Sequence, residues 1–178
     1  ELGADGAKAL TAVVTDVAGN AGTASAAVNF TLDTVAPAAP TLAETGTTKL
    51  ADGWLNNSES ATTTTFRVNL GGTGATAAVV GDKVDLLLDG AAFGTPKSVT
   101  LSSTNISNGY VDFTVSKTEL GADGAKALTA VVTDVAGNAG TASAAVIFNL
   151  DTTAPMTTVS TLVFLADTGT SSTDFITK

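Results

Sequence analysis

Period-two alternation of apolar and polar positions runs through most of the chain, and helical periodicity almost nowhere. Phe66, Val68 and Leu70 alternate with polar Arg67 and Asn69. Val84, Leu86 and Leu88 repeat the pattern, followed by Val99 and Leu101, and then by Val111, Phe113 and Val115. Leu128, Ala130 and Val132 come next, and Ala144, Val146, Phe148 and Leu150 last. Each run has the signature of a strand with one buried and one wet face. Turn formers separate them: Gly71-Gly72-Thr73-Gly74, Asp89-Gly90, Asn108-Gly109, Asp123-Gly124 and Gly137-Asn138. With a short first strand near residues 41–43, the pattern predicts about seven strands, spaced as in a β-sandwich. The alanine-rich run 24–27 reads as strand, because it leads into alternation. Thr62, Thr63, Thr64 and Thr65 suit an exposed or edge strand, where Thr can face water.

The pattern occurs twice. Residues 1–37 read ELGADGAKALTAVVTDVAGNAGTASAAVNFTLDTVAP, and residues 119–155 repeat them 118 positions later. The two copies differ at Asn29/Ile147, Thr31/Asn149 and Val35/Thr153. So close a repeat reads as a slice of a tandem array. The expected organisation is the last two strands of one unit (1–35), a complete unit (36–153) and the start of the next (154–178). A unit of this length is able to bury its own core. Residues 1–35 would form a hairpin with an apolar face and no partner sheet, marginal alone. They are expected to make swapped or end-to-end contacts with another copy of the chain.

Composition narrows the function. Seventeen acidic side chains stand against eight basic ones, for a net charge of −9. That balance argues against nucleic acid and anionic membranes and fits cation binding. No apolar run approaches the roughly 20 residues that span a bilayer. The sequence has no His and no Cys, hence no imidazole base, no thiolate nucleophile and no zinc site. Ser is plentiful but has no base partner. Acidic residues sit on repeated turns, and an enzyme rarely repeats its active site with every structural repeat, so no enzymatic activity is expected. Trp54, the lone Trp, reads as packing over the end of the sandwich, with an exposed sugar-stacking platform as the alternative.

Three motifs in order carry a resemblance. They are Val132-Thr133-Asp134-Val135-Ala136-Gly137-Asn138, Leu150-Asp151-Thr152-Thr153-Ala154-Pro155, and Asp167-Thr168-Gly169-Thr170-Ser171-Ser172-Thr173-Asp174-Phe175-Ile176-Thr177. The complete unit carries a variant of the third, Glu44-Thr45-Gly46 with Asp52-Gly53-Trp54-Leu55-Asn56-Asn57-Ser58-Glu59. The chain resembles the bacterial Ig-like extender repeats of large cell-surface adhesins, including biofilm-associated proteins, RTX adhesins exported by type I secretion, and an ice-binding adhesin. The resemblance implies an all-β, Ig-like Greek-key sandwich in an extracellular protein on the bacterial surface. Its partners would be neighbouring repeats of the same chain. Its function would be to hold a distal binding region away from the cell, with Ca²⁺ stiffening the links.

Ca²⁺ takes six to eight oxygens from carboxylates, carbonyls and water. The expected ligands are Asp134 and Asn138 on the last turn, Asp151 at the link, and Asp167 and Asp174 on the next head loop, gathered at one end of the sandwich. By the same logic Asp16, Asn20 and Asp33 are expected to face Glu44, Asp52 and Glu59. Each of the acidic residues has an equal claim as a turn cap, and for the turn Asp134 that claim is the stronger, because Asp-x-x-Gly-Asn makes a tight turn without metal. Asp5, Asp82, Asp89 and Asp123 read as turn residues. An alternative function is an adhesive module that itself binds a carbohydrate, a protein or ice.

Overall fold

The computed structural model of the chain describes residues 2–47 and 49–158. Strands β1 (Gly6–Leu10) and β2 (Val28–Leu32) come first and pair antiparallel as a free hairpin. Eight further strands follow: β3 (Thr41–Thr45), β4 (Trp54–Asn56), β5 (Thr64–Asn69), β6 (Lys83–Leu88), β7 (Ala91–Thr100), β8 (Tyr110–Val115), β9 (Gly124–Thr133) and β10 (Val146–Asp151). They form two layers, in the order β3-β5-β8 and β4-β10-β9-β6-β7. The chain crosses between layers after β3, β4, β5, β7 and β8, and from β5 onwards it follows a Greek-key path. The fold is an all-β, immunoglobulin-like sandwich.

Alternation supplies the core as the sequence predicts. Phe66, Val68, Val84, Leu86, Val111, Val115, Leu128, Val132, Phe148 and Leu150 are all buried between the layers. Phe66 and Phe148 join the two sheets, their rings stacked with centroids 6.4 Å apart. The Asp89-Gly90 loop between β6 and β7 has positive φ at both residues, 52° and 80°, the two-residue hairpin turn that matches strand twist.

Four elements depart from the sequence reading. The sandwich has eight strands because residues 54–56, read as loop, form β4 and pair parallel with β10. Thr64 and Thr65 lie on β5, the central strand of its layer, with Thr64 fully buried; cross-strand packing outweighs their tolerance for water. Runs 24–27 and 142–145 are not strand. There Ser143 Oγ accepts from the Ala130 N–H at 3.0 Å and donates to the Ala144 carbonyl at 2.9 Å. A hydroxyl thus replaces a ladder bond and delays β10 until Val146. Ser25 does the same against Ala12. Two short helices, α1 (Ser103–Asn108) and α2 (Lys117–Leu120), bridge strands at opposite ends.

Strand direction gives the sandwich two distinct ends. β3, β6 and β8 start at the incoming end, where β9 finishes. β10 finishes at the outgoing end, where β9 starts. The ten residues of β9 set the two ends about 30 Å apart.

Candidate functional site

The chain enters and leaves the sandwich through two copies of one link, and the joints they make are the candidate site. At the incoming end the link is docked. Pro37 and Pro40 are buried, and the Ala38 N–H donates to the Thr76 carbonyl at 2.9 Å. Glycines make room for it. A Cβ on Gly140 would stand 2.4 Å from the Pro37 oxygen, and one on Gly71 2.8 Å from the Ala39 oxygen. Asn138 Nδ2 donates to the Asp33 carbonyl at 3.1 Å, tying the β9–β10 turn to the link.

That turn is built by Asp134 and Asn138. Asp134 Oδ1 accepts from the Asn138 N–H and Oδ2 from Asn138 Nδ2, both at 2.8 Å. Gly137, at φ 97°, lets the backbone reverse. The Asn138 side chain, foremost among these donors, holds the Asp134 carboxyl below its ordinary range. Asp82 stands opposite, one position beyond the last β6–β9 pair, Lys83 with Thr133. It is buried; its Oδ2 accepts from the Val79 N–H at 2.8 Å and its Oδ1 has no protein partner.

At the outgoing end the link is exposed, Pro155 included. Asp151 Oδ1 accepts from the Thr153 N–H at 3.1 Å. Asp123 carries more of the geometry: it accepts from the Thr152 N–H at 3.0 Å and from the Thr152 and Thr153 hydroxyls at 2.8 Å. The Thr152 N–H, ahead of the two hydroxyls, holds its carboxyl below the usual range. Asp5 and Thr34 repeat this lock in the first copy. An open cleft of about 410 Å³ lies beside the link, lined by Asn56, Asn57, Ser58, Asp151, Thr152 and Thr153. Lys117 Nζ reaches Asn57 Oδ1 at 3.1 Å.

The expected ligand groups are therefore divided differently. Asp134 and Asn138 stand at the incoming end and Asp151 at the outgoing end, because a hairpin turn and the end of its second strand lie at opposite edges of a sheet. Asp33 meets Asn138 rather than Glu44, Asp52 or Glu59. Those three lie towards the outgoing end and serve their own loops. Glu44 accepts from the Lys49 and Leu50 N–H groups, Asp52 from Trp54, and Glu59 from Asn56. Asp16 and Asn20 bond each other at the tip of the free hairpin, away from Asp33. Asp167 and Asp174 lie outside the described residues.

Among the described residues no three acidic side chains come together as a metal group. The incoming joint gathers the oxygens of Asp82, Asp134, Asn138 and the Asp33 carbonyl around the Asn138 amide, and one buried carboxylate oxygen there is orphaned. The outgoing cleft has an ammonium group beside it.

No family model matches the chain, and no curated protein does. Among solved structures the chain is similar to part of a 1.5-MDa bacterial ice-binding adhesin, with 24% identity over 83% of this chain and TM-score 0.43. It is similar to the Ca²⁺-stabilized adhesin with which an Antarctic bacterium reaches out and binds ice, with 25% identity over 84% of this chain and TM-score 0.42. It is also similar to a bacterial immunoglobulin-like domain of the M. primoryensis ice-binding adhesin, with 22% identity over 65% of this chain, 98% of that domain and TM-score 0.40. The chain spans 43% and 33% of the first two structures.

Sequence reading passed over Asp82, Asp123 and Gly140 as joint residues. The signal for Asp123 was present: it precedes Gly124, which pairs with Leu150, and so it must flank the link. Gly140 follows the turn in both copies, but its role depends on a link that is distant in sequence.

Proposed function

We propose that the chain is an extender segment of a bacterial surface adhesin, lying outside the cell and giving length rather than recognition. The observation that carries this reading is the docked incoming link. Pro37 is buried against the sandwich that follows it. A link that docks on the next sandwich fixes the direction in which units stack, and entry and exit at opposite ends make each unit add its full length.

In this reading Ca²⁺ stiffens the incoming joint, with Asp82, Asp134, Asn138 and the Asp33 carbonyl as its oxygen donors. Its charge would neutralise the carboxylates gathered where two units meet. Asp151, with Asp167 and Asp174, is the corresponding proposal for the outgoing joint. Export by a type I system and a place in a biofilm or RTX adhesin belong to the same proposal. Small-angle scattering of a multi-unit protein tests it. A maximum dimension that grows by one sandwich per unit, and shortens with chelator, is expected. A dimension and melting temperature both unmoved by chelator would overturn the Ca²⁺ role.

A second reading, an adhesive module, has one observation in its favour. Trp54 is half-exposed on the outward face of β4, where a sugar ring is able to stack. A glycan array on a single unit, with Trp54→Ala as control, decides between the two.

A further inference from the structure

The hairpin that closes the sandwich, β9–β10, and its copy β1–β2 lie in two stretches that differ at three positions: Asn29/Ile147, Thr31/Asn149 and Val35/Thr153. In the complete unit all three stand on one flank, beside β4 and the loop that follows it. Asn149 lies directly opposite Trp54 in the parallel pair. Ile147, two residues earlier on the same outward face, is the diagonal neighbour of Trp54. Thr153 lines the outgoing cleft with Asn56, Asn57 and Ser58.

Within its sheet β10 has two neighbours, β9 and β4. On the β9 side Ile147 pairs with Ala127 and Asn149 with Ala125, while in the first copy Asn29 pairs with Ala9 and Thr31 with Ala7. Those partners are alanines in both copies, so nothing on the neighbouring strand of the hairpin answers to the change. Nor does the core. Leu128, Ala130, Val132, Phe148 and Leu150 face it, and Leu10, Ala12, Val14, Phe30 and Leu32 stand at the matching positions of the first copy. What remains is β4, which joins the sheet from the head of the unit. A large aromatic side chain reaches both the opposite and the diagonal position across a strand pair. Trp54 faces outward yet is only 49% exposed, and Asn149 beside it is half-buried.

Mispairing between neighbours is a characteristic failure of repeat proteins, and here the core-facing residues cannot tell one closing hairpin from the next. We propose that Ile147 and Asn149 match the closing hairpin to the head strand of its own unit, with Trp54 as the group that reads them. The partner of this surface is β4 of the same repeat. A hairpin with Asn and Thr at these two positions fills the same core but mates less well with Trp54. The bias need only be small, because it acts between hairpins that are otherwise equal.

A double-mutant cycle in the full chain tests this. Ile147→Asn with Asn149→Thr gives β10 the outward face of the first copy and leaves the core untouched. One strong strand former is lost and another gained, so intrinsic strand preference stays about even. Calorimetry should show the melting temperature fall by about 2–4 °C, the size of one or two cross-strand pairs. In a Trp54→Ala protein the same two substitutions should shift it by less than about 1 °C, because the residue they answer to is gone. A difference below about 1 °C between the two backgrounds overturns the proposal, whether neither protein shifts or both shift equally. So does a double variant that melts higher than the parent.

Discussion

Phe148→Ala and Phe30→Ala make one substitution in two copies of the same sequence and separate what the sequence dictates from what packing supplies. Phe148 is 1% exposed and stacks on Phe66 across the sandwich. Deleting its ring removes the apolar burial and leaves a cavity between two sheets that pair rigidly on either side. Such truncations cost about 3–5 kcal/mol. With roughly 4 °C of melting temperature per kcal/mol for a domain near this size, the expected loss is about 12–20 °C. Phe30 sits in the same five-pair register but faces no second sheet among the described residues, so Phe30→Ala should move the transition by no more than about 2 °C, as surface substitutions do. Trp54 fluorescence is the assay, because this single Trp lies on β4 and reports the sandwich alone. A Phe148→Ala transition within about 3 °C of the parent protein would refute the inter-sheet core. At micromolar concentration, equal losses from both substitutions would refute the open hairpin face.

Glu119 supplies a pH test: Lys97 Nζ, 2.6 Å away, and the Ser116 N–H and hydroxyl hold its pKa at about 2. The folded value lies below the unfolded one, so the stabilisation is full above about pH 4.5 and is lost as pH falls towards 2. Discounted for partial exposure, it should amount to about 2 kcal/mol, read as the difference between parent and Glu119→Gln in urea titrations at pH 6 that closes near pH 2. Gly140→Ala should expel the docked link and cost about 1–3 kcal/mol by overpacking, whereas Gly22→Ala, whose Cβ would meet the Val14 oxygen at 3.3 Å, should be near neutral; thermal melts of the two decide. Ca²⁺ at about 100 times its Kd should stabilise the parent by about 2.7 kcal/mol, and Asp134→Ala should abolish that gain; equal gains in both proteins would remove Asp134 from the site.

The strands were legible because alternation reports directly which face is buried, as Leu128, Ala130 and Val132 do. β4 was not legible: three residues carry too little pattern, and Trp54 and Asn56 are held in place by β10, at the far end of the repeat in sequence. The serine bulges escaped for a similar reason, since Ser143 competes with the backbone ladder only once β9 is beside it. At the joints the right residue types were visible, but their grouping was not. Reading Asp134 and Asp151 as neighbours takes closeness in sequence for closeness in space, and an antiparallel hairpin places its turn and its last residue at opposite edges of a sheet. Asp123, far from Thr152 in sequence, is beside it for the same reason.

The three-residue pairing of β4 with β10 gives the sandwich a mechanical character. The chain enters through the link before β3 and leaves at the end of β10, and β4 runs parallel to β10, with Trp54, Leu55 and Asn56 facing Asn149, Leu150 and Asp151. Tension between the two links acts first on β3, which pairs with β5 over five positions and is drawn past it lengthwise, so those hydrogen bonds are loaded together in shear rather than opened one by one from an end. The β4–β10 pair is loaded in the same sense once β3 yields. A string of such units would resist pulling through two short clamps in series in every unit.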